Sequence, residues 1–345
     1  MSVRTLVIGD PHFMVQNMST CRQFIDRILQ LVDSIEFDCI VVLGDILHTH
    51  EKIHVLPFNL AVEFLKELSE RAPTFLIIGN HDYINNQQFL TDKHGFNSLK
   101  EWDNLVIVDE AVVYTHNQMH FVMVPYVPNG RFEEALDTCT IDWKTRATCI
   151  FAHQELYGCQ LNPVKKSEHG DRWNPEYPMV ISGHIHKKQR LQPNVFYPGS
   201  PIQHSFGESP HKSVSIVTFH PDNNLPVTER VDIQDIDIEL RRKVIVYKTI
   251  DTIRSYQPDP SVDTKIVLKC SSSEFKEYKK TTHYTTLVDK GVRITLLPIK
   301  NTVAESTTRE YGKQDVSSVL YSLIQQHPIA VEMYHTLYTQ QEHSP

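Results

Sequence analysis

No apolar run in the sequence comes near the roughly 18 residues that cross a bilayer. Residues 1–9, MSVRTLVIG, lack the long apolar core and small-residue cleavage site of a secretory signal. Six cysteines, Cys21, Cys39, Cys139, Cys149, Cys159 and Cys270, include no CxxC pair. That spacing argues against a structural zinc site and leaves buried free thiols in a reducing compartment. Internal repeats and low-complexity tracts are also missing. So is a basic excess: 34 Lys+Arg stand against 42 Asp+Glu, a net charge of −8, and bulk charge does not advertise a nucleic-acid binder. A soluble intracellular protein without membrane association is expected.

What the sequence has in surplus is histidine, 19 among 345 residues. Whether these imidazoles are scattered or arranged decides the reading. Charge is uneven as well: residues 241–345 carry +4 and residues 1–240 carry −12, which places a domain boundary near 240. In the first part, apolar runs TLVIG (5–9), CIVVLG (39–44) and TFLIIG (74–79) read as strands. Between them a helix capped by Ser19 or Thr20 carries Phe24, Ile28, Leu31 and Val32, and a helix opened by Pro57 carries Leu60, Phe64, Leu65 and Leu68. This βαβαβ opening predicts a parallel sheet covered by helices. Further strands are expected at 105–108, 112–114, 120–124, 148–152, 179–182 and 214–219.

Polar motifs sit where those strands end. Asp10-Pro11-His12 follows the first, Gly44-Asp45-Ile46-Leu47-His48 the second and Gly79-Asn80-His81-Asp82 the third. Later ends carry Ala152-His153-Gln154-Glu155 and Gly183-His184-Ile185-His186. Ligands of open α/β sheets gather outside the carboxyl ends of strands, so these five motifs should converge. Asp10, His12, Asp45, Asn80, His153, His184 and His186 are too many donors for one tetrahedral ion, but they suit two ions of higher coordination. Oxygen and imidazole without thiolate favours Mn, Fe or Zn over Ca. Asp45, on the middle motif, is the candidate bridge between the ions. Single histidines at strand ends are ordinarily structural; His50, His54, His94, His116, His120, His169, His204, His211 and His220 lack motif context and read as surface or core residues.

These motifs, DxH, GD, GNHD, a lone His and GHxH, resemble the signature of the calcineurin-like metallophosphoesterase superfamily. GDILH (44–48), FYPGSPIQHSFGES (196–209) and KSVSIVTF (212–219) narrow the resemblance to SbcD-type DNA-repair nucleases. AHQELYG (152–158) and Ser167-Glu168-His169-Gly170 are similar to the short phage members, which implies a phage- or virus-encoded protein acting in the host cell. One departure is DPHFM in place of the more usual DxHLG, with Met14 where a glycine is usual.

The resemblance implies a four-layer α/β/β/α fold, a β-sandwich flanked by helices, over residues 1–240. A small α/β capping domain for DNA follows at 241–300, then a linker and C-terminal helices at 301–345. It implies two divalent ions, Mn²⁺ first with Mg²⁺, Fe or Zn as alternatives. One would be held by Asp10, His12, Asp45 and His186, the other by Asp45, Asn80, His153 and His184. His81 would act on the scissile phosphodiester with Asp82 orienting its ring, and His48 would contact the phosphate. The implied activity is a DNA exonuclease and endonuclease in double-strand-break repair or recombination. The implied partners are DNA, an SMC-like ABC ATPase of the SbcC type docked on the C-terminal helices, and a second copy of the chain through the nuclease domain. Basic residues of the capping domain, Arg241, Arg242, Lys243, Lys276, Lys279 and Lys280, would meet DNA phosphates. Two ions set against Asp10 and Asp45 would leave the site locally cationic. Another phosphodiesterase or a phosphatase of the same superfamily is the alternative; it is disfavoured as a protein phosphatase because the Arg-containing motif after Asp45 is missing.

Overall fold

Alternate residues of each central strand face two different cores. In β1 (Val3–Ile8), Leu6 and Ile8 enter one apolar cluster while Val3 and Val7 enter another; in β2 (Cys39–Val42), Ile40 and Val42 part from Cys39 and Val41 in the same way. A strand buried on both faces needs cover on both. The first cluster is completed by α1 (Met18–Ser34) and α2 (Val55–Ser69), through Phe24, Ile28, Leu60 and Phe64. The second is completed by another sheet. The structure, a computed structural model, describes residues 1–50, 52–162, 164–221 and 229–299.

The remaining strands are β3 (Thr74–Ile77), β4 (Leu105–Val108), β5 (Val112–His116), β6 (Met119–Met123), β7 (Ala147–Ala152), β8 (Met179–Ser182), β9 (Gln189–Gln192), β10 (Val195–Tyr197), β11 (Ser213–Phe219) and β12 (Val231–Asp237). One six-stranded sheet runs β12-β11-β1-β2-β3-β4 and the other β5-β6-β7-β8-β10-β9. β1 to β4 are parallel, as the βαβαβ reading expects, and β11 closes on β1 antiparallel. Phe121, Cys149, Phe151 and Ile181 of the second sheet meet the first sheet in the shared core. Val122, Ile150 and Val180 point the other way, to Phe132 of α3 (Phe132–Leu136), Trp143 of α4 (Trp143–Arg146) and Trp173. The result is the expected four-layer α/β/β/α sandwich, although the last helical layer is two short helices and a loop.

α1 begins at Met18, one or two residues before the expected cap at Ser19 or Thr20. Its cap residue is Asn17, whose amide nitrogen donates to His12 O at 3.2 Å and whose oxygen accepts from Met14 N at 3.0 Å. The helix start is thereby tied to the DPHFM loop. Met14 itself is extended, φ −144°, so this loop has no need of glycine there.

A third sheet, β13 (Arg242–Thr249), β14 (Val262–Cys270) and β15 (Arg293–Pro298), is wholly parallel. With α5 (Ile250–Ile253), α6 (Ser272–Tyr278) and α7 (Thr282–Asp289) it encloses its own small core of Ile253, Ile266, Leu268, Tyr278, Leu287 and Val292. Lys243 joins it to the first part: its backbone N–H donates to Gln203 Oε1 at 2.7 Å and its carbonyl accepts from Gln203 Nε2 at 2.9 Å. Its ammonium donates to the carbonyls of Gln203 and His204, so Lys243 is spent on this junction. Arg241 and Arg242 pair with Asp263 and Asp237 at the surface. Such exposed pairs contribute little to stability. The proposed linker and partner-binding helices at 301–345 lie outside the described residues. No helix among the described residues is long and apolar enough to cross a membrane.

Candidate metal centre

The loops that leave β1, β2, β3, β7 and β8 meet at one place, and two glycines let them. Gly44 takes φ +101°, a left-handed conformation that costs other residues energy. At Gly79 a Cβ would overlap Asp45 Oδ1 and Asp45 N. We expect Gly79→Ala to lower the thermal midpoint of the metal-free protein by an amount corresponding to about 1–3 kcal/mol of overpacking, and to weaken metal uptake because Asp45 must shift. An unchanged midpoint in calorimetry would remove this account of the loop contact.

Seven donors converge in two groups. Asp10, His12 and His186 form one, with His12 Nε2 at 2.8 Å from His186 Nε2 and His186 Nε2 at 3.8 Å from Asp10 Oδ2. Asp45, His153 and His184 form the other. Asn80 Oδ1 belongs with them, at 3.1 Å from His153 Nε2 and 2.8 Å from His184 Nδ1. Asp45 Oδ2 reaches both groups, 3.5 Å from His12 Nε2 and 3.4 Å from His153 Nε2. Three of the seven residues, His12, Asp45 and His184, hold left-handed backbone at φ +46°, +48° and +74°. Such strain costs on the order of 1–3 kcal/mol each and persists only where the surroundings dictate it.

This donor set fits divalent cations. Asp10 Oδ2 is buried without a hydrogen-bond partner among the described residues, and two imidazole nitrogens face one another beside it. Burial holds His12 well below the usual histidine range, so its ring is neutral and its lone pair free. His153 donates from Nδ1 to Leu43 O at 2.6 Å, which turns Nε2 toward the cluster. Burial opposes a charge on His153, but Asp45 overcomes it and raises the ring to about 9; in return Asp45 is held well below the carboxylate range, its own burial outweighed by His153. A cation held by that pair would require His153 without its Nε2 proton.

His81 and His48 stand at the same site. His81 Nδ1 lies 2.6 Å from His48 O and its backbone N–H donates to Asp45 Oδ1 at 2.8 Å. His48 Nδ1 is 3.4 Å from His12 Nδ1. Asp82 does not orient the His81 ring. Its buried carboxylate accepts from Leu47 N and Gly79 N at 3.1 and 3.0 Å, bracing the two loops, while burial raises its pKa to about 7. The His48 carbonyl does the orienting instead.

Two histidines read as context-free also belong here. His50 stacks on His81 with centroids 4.3 Å apart, and His204 lies 5.0 Å from His12 and 5.2 Å from His186, ring centre to ring centre. The signal was position: His50 is two residues beyond His48, and His204 falls within FYPGSPIQHSFGES. Glu155 and Glu208 were missed as well; their Oε atoms lie 3.7 Å from His184 Nε2 and 3.8 Å from His186 Nδ1. They add two negative charges to those of Asp10 and Asp45, and Lys212, 2.8 Å from Glu208 Oε2, offsets one of the four, so two divalent ions would leave a smaller positive excess there than Asp10 and Asp45 alone imply.

The family model for calcineurin-like phosphoesterases matches residues 3–188, which hold all five loops and every donor named above. The chain belongs to that family. This phosphoesterase is 39% identical over 328 residues to a protein named as phosphoesterase 078R of Invertebrate iridescent virus 3, across 94% of this chain and 92% of that one. It is 42% identical over 277 residues to the one named 244L of Invertebrate iridescent virus 6, across 80% of this chain and 97% of the relative. Among solved structures the phosphoesterase is similar to Yfce, a phosphoesterase from E. coli, at 14% identity and a TM-score of 0.31, covering 68% of this chain and 99% of that chain. The family and the two donor groups together assign divalent metal ions to this phosphoesterase.

Proposed function

We propose that this phosphoesterase hydrolyses phosphodiester bonds of DNA, as exonuclease and endonuclease in break repair or recombination, together with an SMC-like ABC ATPase. The observation that carries the diester reading is the setting of His81. With Nδ1 bonded to the His48 carbonyl, only Nε2 is left to face a substrate, beside the ligand Asn80 and at the edge of both donor groups. An alkoxide leaving group needs a proton, and a partly exposed imidazole fixed in this way supplies one. DNA as the substrate rests on the resemblance of GDILH, FYPGSPIQHSFGES and AHQELYG to SbcD-type nucleases.

Asp10, His12, Asp45 and His186 would hold one ion, and Asp45, Asn80, His153 and His184 the other, with Mn²⁺ the first choice for a set of oxygens and imidazoles. When bound, such ions supply Lewis acidity to the phosphoryl oxygens and to an attacking water. The chain's own part is to hold Asp45 between the groups, to keep His12 neutral and to aim His81. His48, exposed beside His12, would contact the substrate phosphate. A second copy of the chain, pairing through the nuclease domain, is part of the same proposal.

End-labelled duplex and single-stranded DNA incubated with Mn²⁺ should release nucleotides or short fragments, and the ATPase should change the product lengths. Hydrolysis of bis-p-nitrophenyl phosphate with intact DNA would reject the nuclease reading and leave a small-molecule phosphodiesterase.

A further inference from the structure

Every ligand histidine has a second ring nitrogen, and what that nitrogen touches fixes which one is free to bind. For His153 it touches a backbone carbonyl, Leu43 O. For His184 and His186 it touches carboxylates, and the two cases mirror one another. His184 turns Nδ1 to Asn80 Oδ1 at 2.8 Å and Nε2 to Glu155 Oε2 at 3.7 Å. His186 turns Nε2 to His12 and Asp10, and Nδ1 to Glu208 Oε1 at 3.8 Å. One ring uses Nδ1 and the other Nε2, yet each has a glutamate on the opposite side. We infer that Glu155 and Glu208 are positioning residues, one for each ion, which accept the N–H of His184 and His186 and hold each ring in the tautomer that binds.

The inference rests on the two-ion reading given above and adds residues to it. Both glutamates are themselves held in place. Glu155 Oε1 accepts from Ser167 Oγ at 2.5 Å, and that hydroxyl accepts from Gly170 N at 3.0 Å. Glu208 Oε2 pairs with Lys212 Nζ at 2.8 Å, and Lys212 also donates to Ser200 Oγ at 2.6 Å. The pairs on the imidazoles stand at ion-pair distances of 3.7 and 3.8 Å; catalytic contacts in unliganded proteins are commonly long in this way. A carboxylate behind an imidazole raises its basicity and locks its orientation, and loss of such a partner ordinarily costs 10–100-fold in metal affinity.

The test is Mn²⁺ titration of the full chain by calorimetry, with free Mn²⁺ followed by electron paramagnetic resonance. Wild type should take up two ions in two resolvable steps. Glu155→Gln and Glu208→Gln keep side-chain shape and remove the charge; each should weaken one step by about 10–100-fold, a different step in each variant, and the double variant should weaken both. Ser167→Ala, which loosens a support without touching His184, and Lys212→Gln, which loses its contacts to Glu208 and to the His186 carbonyl, should weaken the same steps by less; they carry the test if a glutamine variant fails to fold by metal-free circular dichroism. Unchanged steps, or both variants weakening the same step with no further loss in the double, would overturn the inference alone. A wild type that binds no second Mn²⁺ would overturn it together with the two-ion reading.

Discussion

Asp45→Asn empties the centre. Bound metal, counted by elemental analysis after dialysis, falls below one ion per chain, and hydrolysis of any phosphodiester falls by roughly 10³-fold or more, the loss of several kcal/mol of charge stabilisation. The size of the effect follows from the number of tasks one carboxylate performs. Oδ2 is within 3.5 Å of a ring nitrogen in each donor group, and Oδ1 accepts the His81 backbone N–H at 2.8 Å. Asparagine is the variant of choice because it tolerates the left-handed φ of +48° at this position, so the backbone is kept while the charge is lost. Two ions retained at wild-type affinity would show that Asp45 does not join the groups.

His81→Gln separates chemistry from binding. Its side chain lies beside the donors without being one of the seven, so both ions stay bound while DNA hydrolysis falls by about 10²–10⁴-fold, the usual contribution of a positioned acid. The sharper measurement compares leaving groups. A nitrophenolate departs without a proton and a deoxyribose oxygen does not, so bis-p-nitrophenyl phosphate hydrolysis should suffer much less than DNA cleavage. Equal losses on both substrates would move His81 from proton donor to phosphate contact; wild-type rates on both would remove it from the chemistry.

Much of this site was readable because strand ends announce themselves. A run such as TLVIG or TFLIIG, apolar on both faces, can only be a covered strand, and the polar residues that follow it have nowhere to go but the common edge. Asp10, Asp45, Asn80, His153 and His184 are legible for that reason. Residues that reach the site from other directions are not. His204 and Glu208 come from a loop whose place depends on packing between β10 and β11, and no local period encodes it. Asp82 misled because adjacency to His81 in sequence says nothing of side-chain direction; its carboxylate turns inward to two backbone amides. α7 was missed because THYTTLVD is rich in threonine, a poor helix former, and is held by its Thr281 cap and the burial of Leu287. β12 was missed as a half-exposed edge strand whose alternation of apolar and acidic residues reads equally as a solvated loop.

The junction between Gln203 and Lys243 has a mechanical meaning. A side-chain amide that bonds both the N–H and the carbonyl of one residue does what a neighbouring peptide does in a sheet, so the loop bearing His204 and Glu208 is in effect one more rung on β13. The third sheet is therefore bonded to the same loop that places Glu208 3.8 Å from His186 Nδ1. Glu155, braced by Ser167 and Gly170 within the sandwich, does not share that loop. The two halves of the centre thus have different supports: one is braced within the sandwich, the other from a loop shared with the third sheet.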